Sequence, residues 1–207
     1  MTMGDESPVI AMALPGLIQP ILDKLGKKDI AAAQTLRVAF SKVEAMHPGF
    51  THDLVTNVLQ KADVPINMNE NMLRLEGDHS NPEFLVNRGE TAFKELNYRA
   101  VTLKKILSCI PDEINDRKAF LETIKEIASA IKKLLDAVNN VFIYVQNQQG
   151  KQMVETRKRE FVKYSKRFSN TLKDYFREGQ ANAVYHSANC LINQTNIIMT
   201  TIKHKCE

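Results

Sequence analysis

Five histidines, three cysteines and a short run of carboxylates are the side chains of this chain best suited to covalent or metal chemistry, and their spacing supports neither. His47 and His52 straddle Pro48-Gly49, and His79, His186 and His204 show no metal-ligand spacing with cysteine or carboxylate. Cys109, Cys190 and Cys206 are odd in number and far apart, without a Cys-x-x-Cys, the pattern of reduced thiols in a cytosolic protein. Asp112, Glu113 and Asp116 read as helix capping rather than as an acid/base pair. No glycine-rich phosphate loop and no nucleophile elbow occurs. The expectation is a protein that is not an enzyme, with no catalytic residue, metal or cofactor, whose chemistry is recognition.

Two lysine rows carry that recognition signal. Lys125-Ala128-Lys132 is repeated in type and spacing by Lys166-Ser169-Lys173, each a small residue between lysines on one side of a helix. At ~100° per residue, Leu121, Ala128 and Leu135 fall beside the apolar stripe of the first helix, and Val162, Ser169 and Phe176 beside that of the second. Antiparallel packing mirrors one row onto the other, so the two face each other across one groove. An apolar, small-residue floor with lysine rims suits an amphipathic partner helix bearing leucines and aspartates. The densest basic run, Arg157-Lys158-Arg159 with Lys163, Lys166 and Arg167, is interleaved with Glu155 and Glu160. It reads as a solvated helix face or, alternatively, as a contact for phosphoinositide headgroups at a membrane surface. Nucleic acid is not expected, because no stacking aromatics alternate with these charges.

The elements that hold these rows are helices. From Phe120 to Val145 the apolar residues Phe120, Ile124, Ile127, Ile131, Leu134, Val138, Val141 and Val145 recur at alternating spacings of four and three, one stripe along a rod of roughly 39 Å. Before it, Thr91 to Ile110 repeats the pattern with Phe93, Leu96, Ala100, Leu103, Leu107 and Ile110. After it come a helix burying Val154, Phe161, Phe168, Leu172 and Tyr175, and one from Ala181 with Val184, Ala188, Leu191, Ile198 and Ile202. Short connections make neighbours antiparallel, so residues 92–207 are expected to form an up-down four-helix bundle. Residues 1–63 are expected to form a separate helical unit. Asp29 caps a helix with Ala33, Leu36, Phe40 and Val43 on one face, and Thr51 caps a second with Leu54, Val55, Val58 and Leu59. So small a unit has more apolar surface than it can bury, and pairing with another chain through Leu36, Ala39, Val58 and Leu59 accounts for the surplus. Residues 64–91 read as a linker with one short helix between Asn67 and Leu75.

Composition agrees with an all-α protein. Hydrophobic residues make up 43% of the 207, enough for a core, and there is no Trp. Residues 1–91 hold 8 Lys and Arg against 12 Asp and Glu, and residues 92–207 hold 20 against 12, an asymmetry that goes with two domains. Asp5 and Glu6 stand where a signal peptide is basic, Pro15 and Pro20 are expected to break the apolar segment around them, and no apolar run approaches the ~18 residues of a membrane span. Thr2 rules out a myristoylation signal.

The runs AAAQTLR (31–37), KKILSCIPDEINDR (104–117), FLETIKEIASAIKKLLDAVNNVF (120–142) and EFVKYSKRFSNTLKDYF (160–176) closely resemble the programmed cell death protein 10 (cerebral cavernous malformation 3) family. The resemblance covers about residues 29–60 and 92–203 and is weakest in the N-terminal tail and at residues 74–90. It implies an N-terminal dimerisation domain, a linker and a C-terminal focal-adhesion-targeting-homology bundle in an adaptor without catalytic activity. It further implies pairing with germinal-centre kinases of the sterile-20 class through the first domain, with contacts at Leu36, Ala39, Val58 and Leu59. The bundle is implied to bind striatin, malcavernin and paxillin-type leucine-aspartate motifs, with the family's groove matching Lys125, Ala128, Lys132, Lys166, Ser169 and Lys173. The implied location is the cytoplasm, with peripheral association at Golgi and plasma membrane.

Overall fold

Proline placement shapes the N-terminal segment. The structure, a computed structural model, describes residues 8–78 and 82–206. Helix α1 (Pro8–Ala13) passes through one π-helical turn (Leu14–Ile18) into α2 (Gln19–Gly26). Pro15 has no N–H to continue the α ladder, so the turn widens and the Gln19 N–H donates to the Leu14 carbonyl. Pro20 sits in the first turn of α2, where a missing donor costs little. The expectation that these prolines break the segment is thereby corrected. Val9–Gly26 is continuous, and by length and composition (mean hydropathy 1.3 over 18 residues) it could span a membrane, contrary to the sequence expectation. In the fold this segment is engaged. Val9, Met12 and Ala13 enter the main core, α1 packs on the C-terminal helix, and Leu22 is buried where α2 meets the helix that follows.

That next helix, α3 (Ile30–Met46), starts on Asp29, whose carboxylate accepts the Ala32 N–H at 2.9 Å. Gly49, at φ 90°, turns the chain into α4 (Phe50–Lys61), a left-handed position that glycine takes without strain. Thr51 is not the cap expected of it. It lies inside the first turn, fully buried, and its N–H (2.9 Å) and hydroxyl (2.6 Å) both donate to the Glu44 carboxylate, which also accepts the Gly49 N–H at 2.7 Å.

The short helix expected after Asn67 is α5 (Met68–Asp78), and it is a packed element rather than a loose connection. Met72 and Leu73 are fully buried between α6 (Thr91–Ser108) and α10 (Ala181–Cys206). Lys104 of α6, almost fully buried, donates to Glu76 of α5 at 3.3 Å and to Asn196 of α10 at 2.9 Å under the Phe84 ring. Two close approaches make the seat. A Cβ on Gly16 would stand 3.0 Å from the Met72 sulfur, and one on Gly77 would overlap Ser108.

One turn of helix, α7 (Ile110–Glu113), carries Pro111 and leads to α8 (Arg117–Val141), then a 3₁₀ turn (Phe142–Tyr144), α9 (Gln148–Glu178) and α10. Asp116 caps α8 by accepting from the Lys118 and Ala119 amides, Asn147 caps α9, and Gly179, at φ 74°, closes it. Asp112 and Glu113 depart from the capping expected of them: Asp112 pairs with Arg74, and Glu113 accepts the Thr123 hydroxyl. Backbones approach closely between α6 and α8, α9 and α10, and α6 and α10, and the expected core residues of all four helices line one shared interior. The all-α bundle is thus as expected, with α5 and α1 added to its α10 side.

Helix α10 is the centre of the molecule. Val184, Ala188, Leu191, Ile192, Ile198 and Ile202 are buried on it, and so are Ser187, Asn189, Thr195 and Asn196 on its other faces. Such polar burial requires partners. Thr195 and Thr201 donate to carbonyls one turn back, at 2.9 and 2.8 Å, and Asn189 donates to the Asn69 carbonyl of α5 at 2.8 Å.

Candidate partner-helix groove

Helices α8 and α9 meet through side chains rather than through close backbones. Phe120 packs against Tyr175 and Phe176, with ring centroids 5.6 and 5.9 Å away, and Lys158 donates to Asn139 at 3.1 Å. These contacts fix an antiparallel register. Moving equal steps along the two helices from the Asn139–Lys158 bond places Leu135 level with Val162, Ala128 with Ser169, and Leu121 with Phe176. The two rows read from the sequence therefore border the same seam. Leu121 is 41% and Phe176 44% exposed, Ala128 and Ser169 are exposed, and Leu135 and Val162 are half-buried. Ile124 and Ile131, partly buried against the core, lie on the seam side of the stripe.

This seam, a candidate trough, is bordered by apolar side chains along its length and bounded at one end by the Phe120–Tyr175–Phe176 cluster. At the other end Lys158 and Asn139 bridge the helices. Ser169 adds little polarity to the floor, because its hydroxyl donates back to the Ser165 carbonyl at 3.0 Å. Lys125, Lys132, Lys166 and Lys173 are all exposed. Lys125 reaches Glu122 at 2.8 Å, whereas the other three have no carboxylate partner among the described residues. Three uncompensated ammonium groups beside exposed apolar side chains complement a helix that presents leucines and carboxylates together.

The remaining candidates do not converge in this way. Arg157, Lys158 and Arg159, being consecutive on a helix, point in three directions. Arg157 lines a cleft with Ser41 and Asn193, Lys158 is taken up by Asn139 and by Glu155 (2.7 Å), and Arg159 also approaches Glu155 (3.5 Å). The Lys158 ammonium holds the Glu155 carboxyl below the usual carboxylate range. Of the dimerisation candidates, Leu36 (40%) and Val58 (57%) are well exposed, Ala39 is exposed and Leu59 half-buried. His47 and His204 are exposed, and His52 contacts Asp53. His79 lies outside the described residues. Among the described residues no group of three metal-ligating side chains comes together.

The N-terminal residues 6–65 match the model of the programmed cell death protein 10 dimerisation domain, and residues 66–155 match that of the same family's C-terminal domain. A relative from Caenorhabditis elegans, described as a programmed cell death protein 10 homolog, is 41% identical over 203 residues, covering 94% of each chain. The chain belongs to the programmed cell death protein 10 family.

Within that family's domain models, α1 to α4 fall in the dimerisation domain, and the break between α4 and α5 falls where one model ends and the other begins. The exposed apolar side chains of α3 and α4 lie within the residues that match the dimerisation domain. Sequence reasoning missed three features: the aromatic cluster closing the trough, the Lys158–Asn139 bridge, and Glu44 as the cap of α4. Periodicity signals the first, since Phe120, Tyr175 and Phe176 flank the two stripes. Nothing in residue spacing signals the other two, because both depend on how helices are paired.

Proposed function

We propose that this member of the programmed cell death protein 10 family is a non-catalytic adaptor with two working surfaces. The N-terminal domain pairs with germinal-centre kinases of the sterile-20 class through Leu36, Ala39, Val58 and Leu59. The trough between α8 and α9 takes leucine-aspartate-type helices of scaffold proteins such as striatin, malcavernin or paxillin. The observation that carries the second surface is the register that sets Ala128 level with Ser169 between exposed lysines. Such an adaptor works in the cytoplasm and reaches Golgi and plasma membrane through its partners. The phosphoinositide reading gains no support from the dispersed Arg157, Lys158 and Arg159, two of which share Glu155.

Binding of a leucine-aspartate peptide tests the trough. Replacing Lys125, Lys132, Lys166 and Lys173 together with Ala should weaken it between a few-fold and several-hundred-fold, at roughly 0.2–1 kcal/mol for each exposed pair. Ala128→Trp should block the floor at any ionic strength, whereas the phosphoinositide reading predicts that Arg157→Ala, Lys158→Ala and Arg159→Ala weaken liposome binding most and that Ala128→Trp hardly matters. Unchanged peptide affinity in both the quadruple variant and Ala128→Trp refutes the assignment.

A further inference from the structure

On the opposite side of α9 from the trough, a cleft of about 590 Å³ opens between α9, α10 and the start of α5. Tyr164, Arg167 and Asp174 of α9 line it, with His186 and Cys190 of α10 and Asn69 of α5. His186 and Cys190 are four residues apart on one helix face, both half-buried, with the cysteine sulfur 3.7 Å from His186 Nε2. Behind Asn69, the fully buried Asn189 keeps its Oδ1 without a donor among the described residues. Neither the trough nor the dimerisation surface uses any of these groups.

We propose that Cys190 is a reactive thiol, with His186 as its base, that undergoes exchange with small amino-acid-derived disulfides such as oxidised glutathione. His186 takes the Cys190 proton. The thiolate attacks one sulfur of the disulfide, a new S–S bond forms to Cys190 and the original one breaks. The departing thiolate recovers a proton from the His186 imidazolium. Cys190 is oxidised to the mixed disulfide as one sulfur of the small disulfide is reduced and leaves as a thiol, so the exchange balances without another reagent. Substrate class follows from the charge of the walls: Asp174 presents a carboxylate suited to an ammonium, and Arg167, its guanidinium over the Tyr164 ring at 5.2 Å, brings a positive charge that favours a carboxylate. The cleft has room for the attached half-molecule, and Asn69, which would sit beside it, also bonds Asn182 of α10 at 3.2 Å.

Cys109 serves as the internal standard. Cys109 is exposed, but partial burial and the neighbouring Glu113, Asp112 and Glu126 push its thiol upward, away from the reactive form. The experiment treats the reduced full-length protein with oxidised glutathione at pH 7 and follows the adduct on each cysteine by peptide mass mapping. Cys190 should be modified at least about five-fold faster than Cys109. His186→Gln should erase most of that advantage at pH 7 and little of it at pH 9, where the thiol ionises without help. In guanidinium-unfolded protein the three rates should become equal, which shows that the selectivity belongs to the fold. Equal rates for Cys190 and Cys109 in the folded protein would overturn the proposal, as would a His186→Gln variant that keeps the full advantage at pH 7 with an unchanged circular dichroism spectrum.

Discussion

Glu44 stands in the last turn of α3, just before the chain reverses into α4. Its carboxylate gathers three donors at the α3–α4 turn, so the first turn of α4 is held by a charge on the preceding helix. Burial alone would raise its pKa, but the hydrogen bonds from the Thr51 hydroxyl and from the Thr51 and Gly49 amides outweigh that and draw it below 4.5. A depressed carboxyl contributes stability that is present above the unfolded value and lost as pH falls through the folded one. The α3–α4 turn should therefore loosen in acid below about pH 4.5, and Glu44→Gln should loosen it by about 1–2 kcal/mol at neutral pH. Amide hydrogen exchange at Gly49 and Thr51 reads both effects, and protection that is the same in Glu44→Gln at pH 7 would remove Glu44 from this role. The residue was hidden in the sequence because Thr51 sits where a cap would be. Only the left-handed Gly49, which starts the helix earlier, turns Thr51 into a donor. Where a residue's role follows from its own helix, as for the caps Asp29 and Asp116, spacing was enough to find it.

At the scale of elements, what a helix buries could be read and what it is buried against often could not. The stripes of α6, α8, α9 and α10 were legible because each shows a 3.6-residue period in apolar side chains. The centrality of α10 was not, since its hidden faces carry Ser, Thr and Asn, which read as surface until backbone carbonyls and α5 satisfy them. The seat of α5 was also illegible, because it depends on Glu76 meeting a lysine far away in the chain and on Gly16 and Gly77 leaving room. The buried Glu76–Lys104 pair gives a test of that seat. Lys104→Met alone leaves a buried carboxylate without its cation and should cost about 3–5 kcal/mol, whereas Lys104→Met with Glu76→Leu should recover most of the loss. Chemical denaturation of the two single variants and the double variant measures the cycle. Additive losses would mean that the pair does not hold α5 in place. Gly77→Ala should lift the end of α5 from α6 through overlap with Ser108, seen as faster exchange in the last turn of α5 only.

Taken whole, the molecule joins an acidic N-terminal half with exposed apolar helices to a basic bundle with a lysine-rimmed trough. Helix α1 ties the halves together by burying Val9, Met12 and Ala13 in the same core as α10. An adaptor of this build should hold two partners at once, and its two surfaces should fail independently. Leu36→Asp, Ala39→Asp, Val58→Asp and Leu59→Asp together set charge into the N-terminal interface. An unpaired charge is costly in an apolar contact, so self-association and kinase capture should weaken by at least about a hundred-fold, some 2.7 kcal/mol. Three of the four side chains are already exposed in the single chain and α1 keeps its seat, so the bundle should stay folded and bind a leucine-aspartate peptide within about two-fold of the parent. Conversely, Ala128→Trp should abolish peptide binding and leave sedimentation unchanged, because Ala128 faces the α8–α9 trough. Analytical ultracentrifugation and peptide titration on the same two proteins decide the matter. If the aspartate variant loses peptide affinity while its melting curve is unchanged, the two surfaces are coupled through α1 and α10, and the adaptor is a switch rather than a bridge. If it remains associated at micromolar concentration, the dimerisation surface lies elsewhere among the exposed apolar residues of α3 and α4, with Val38 and Leu54 the next to replace.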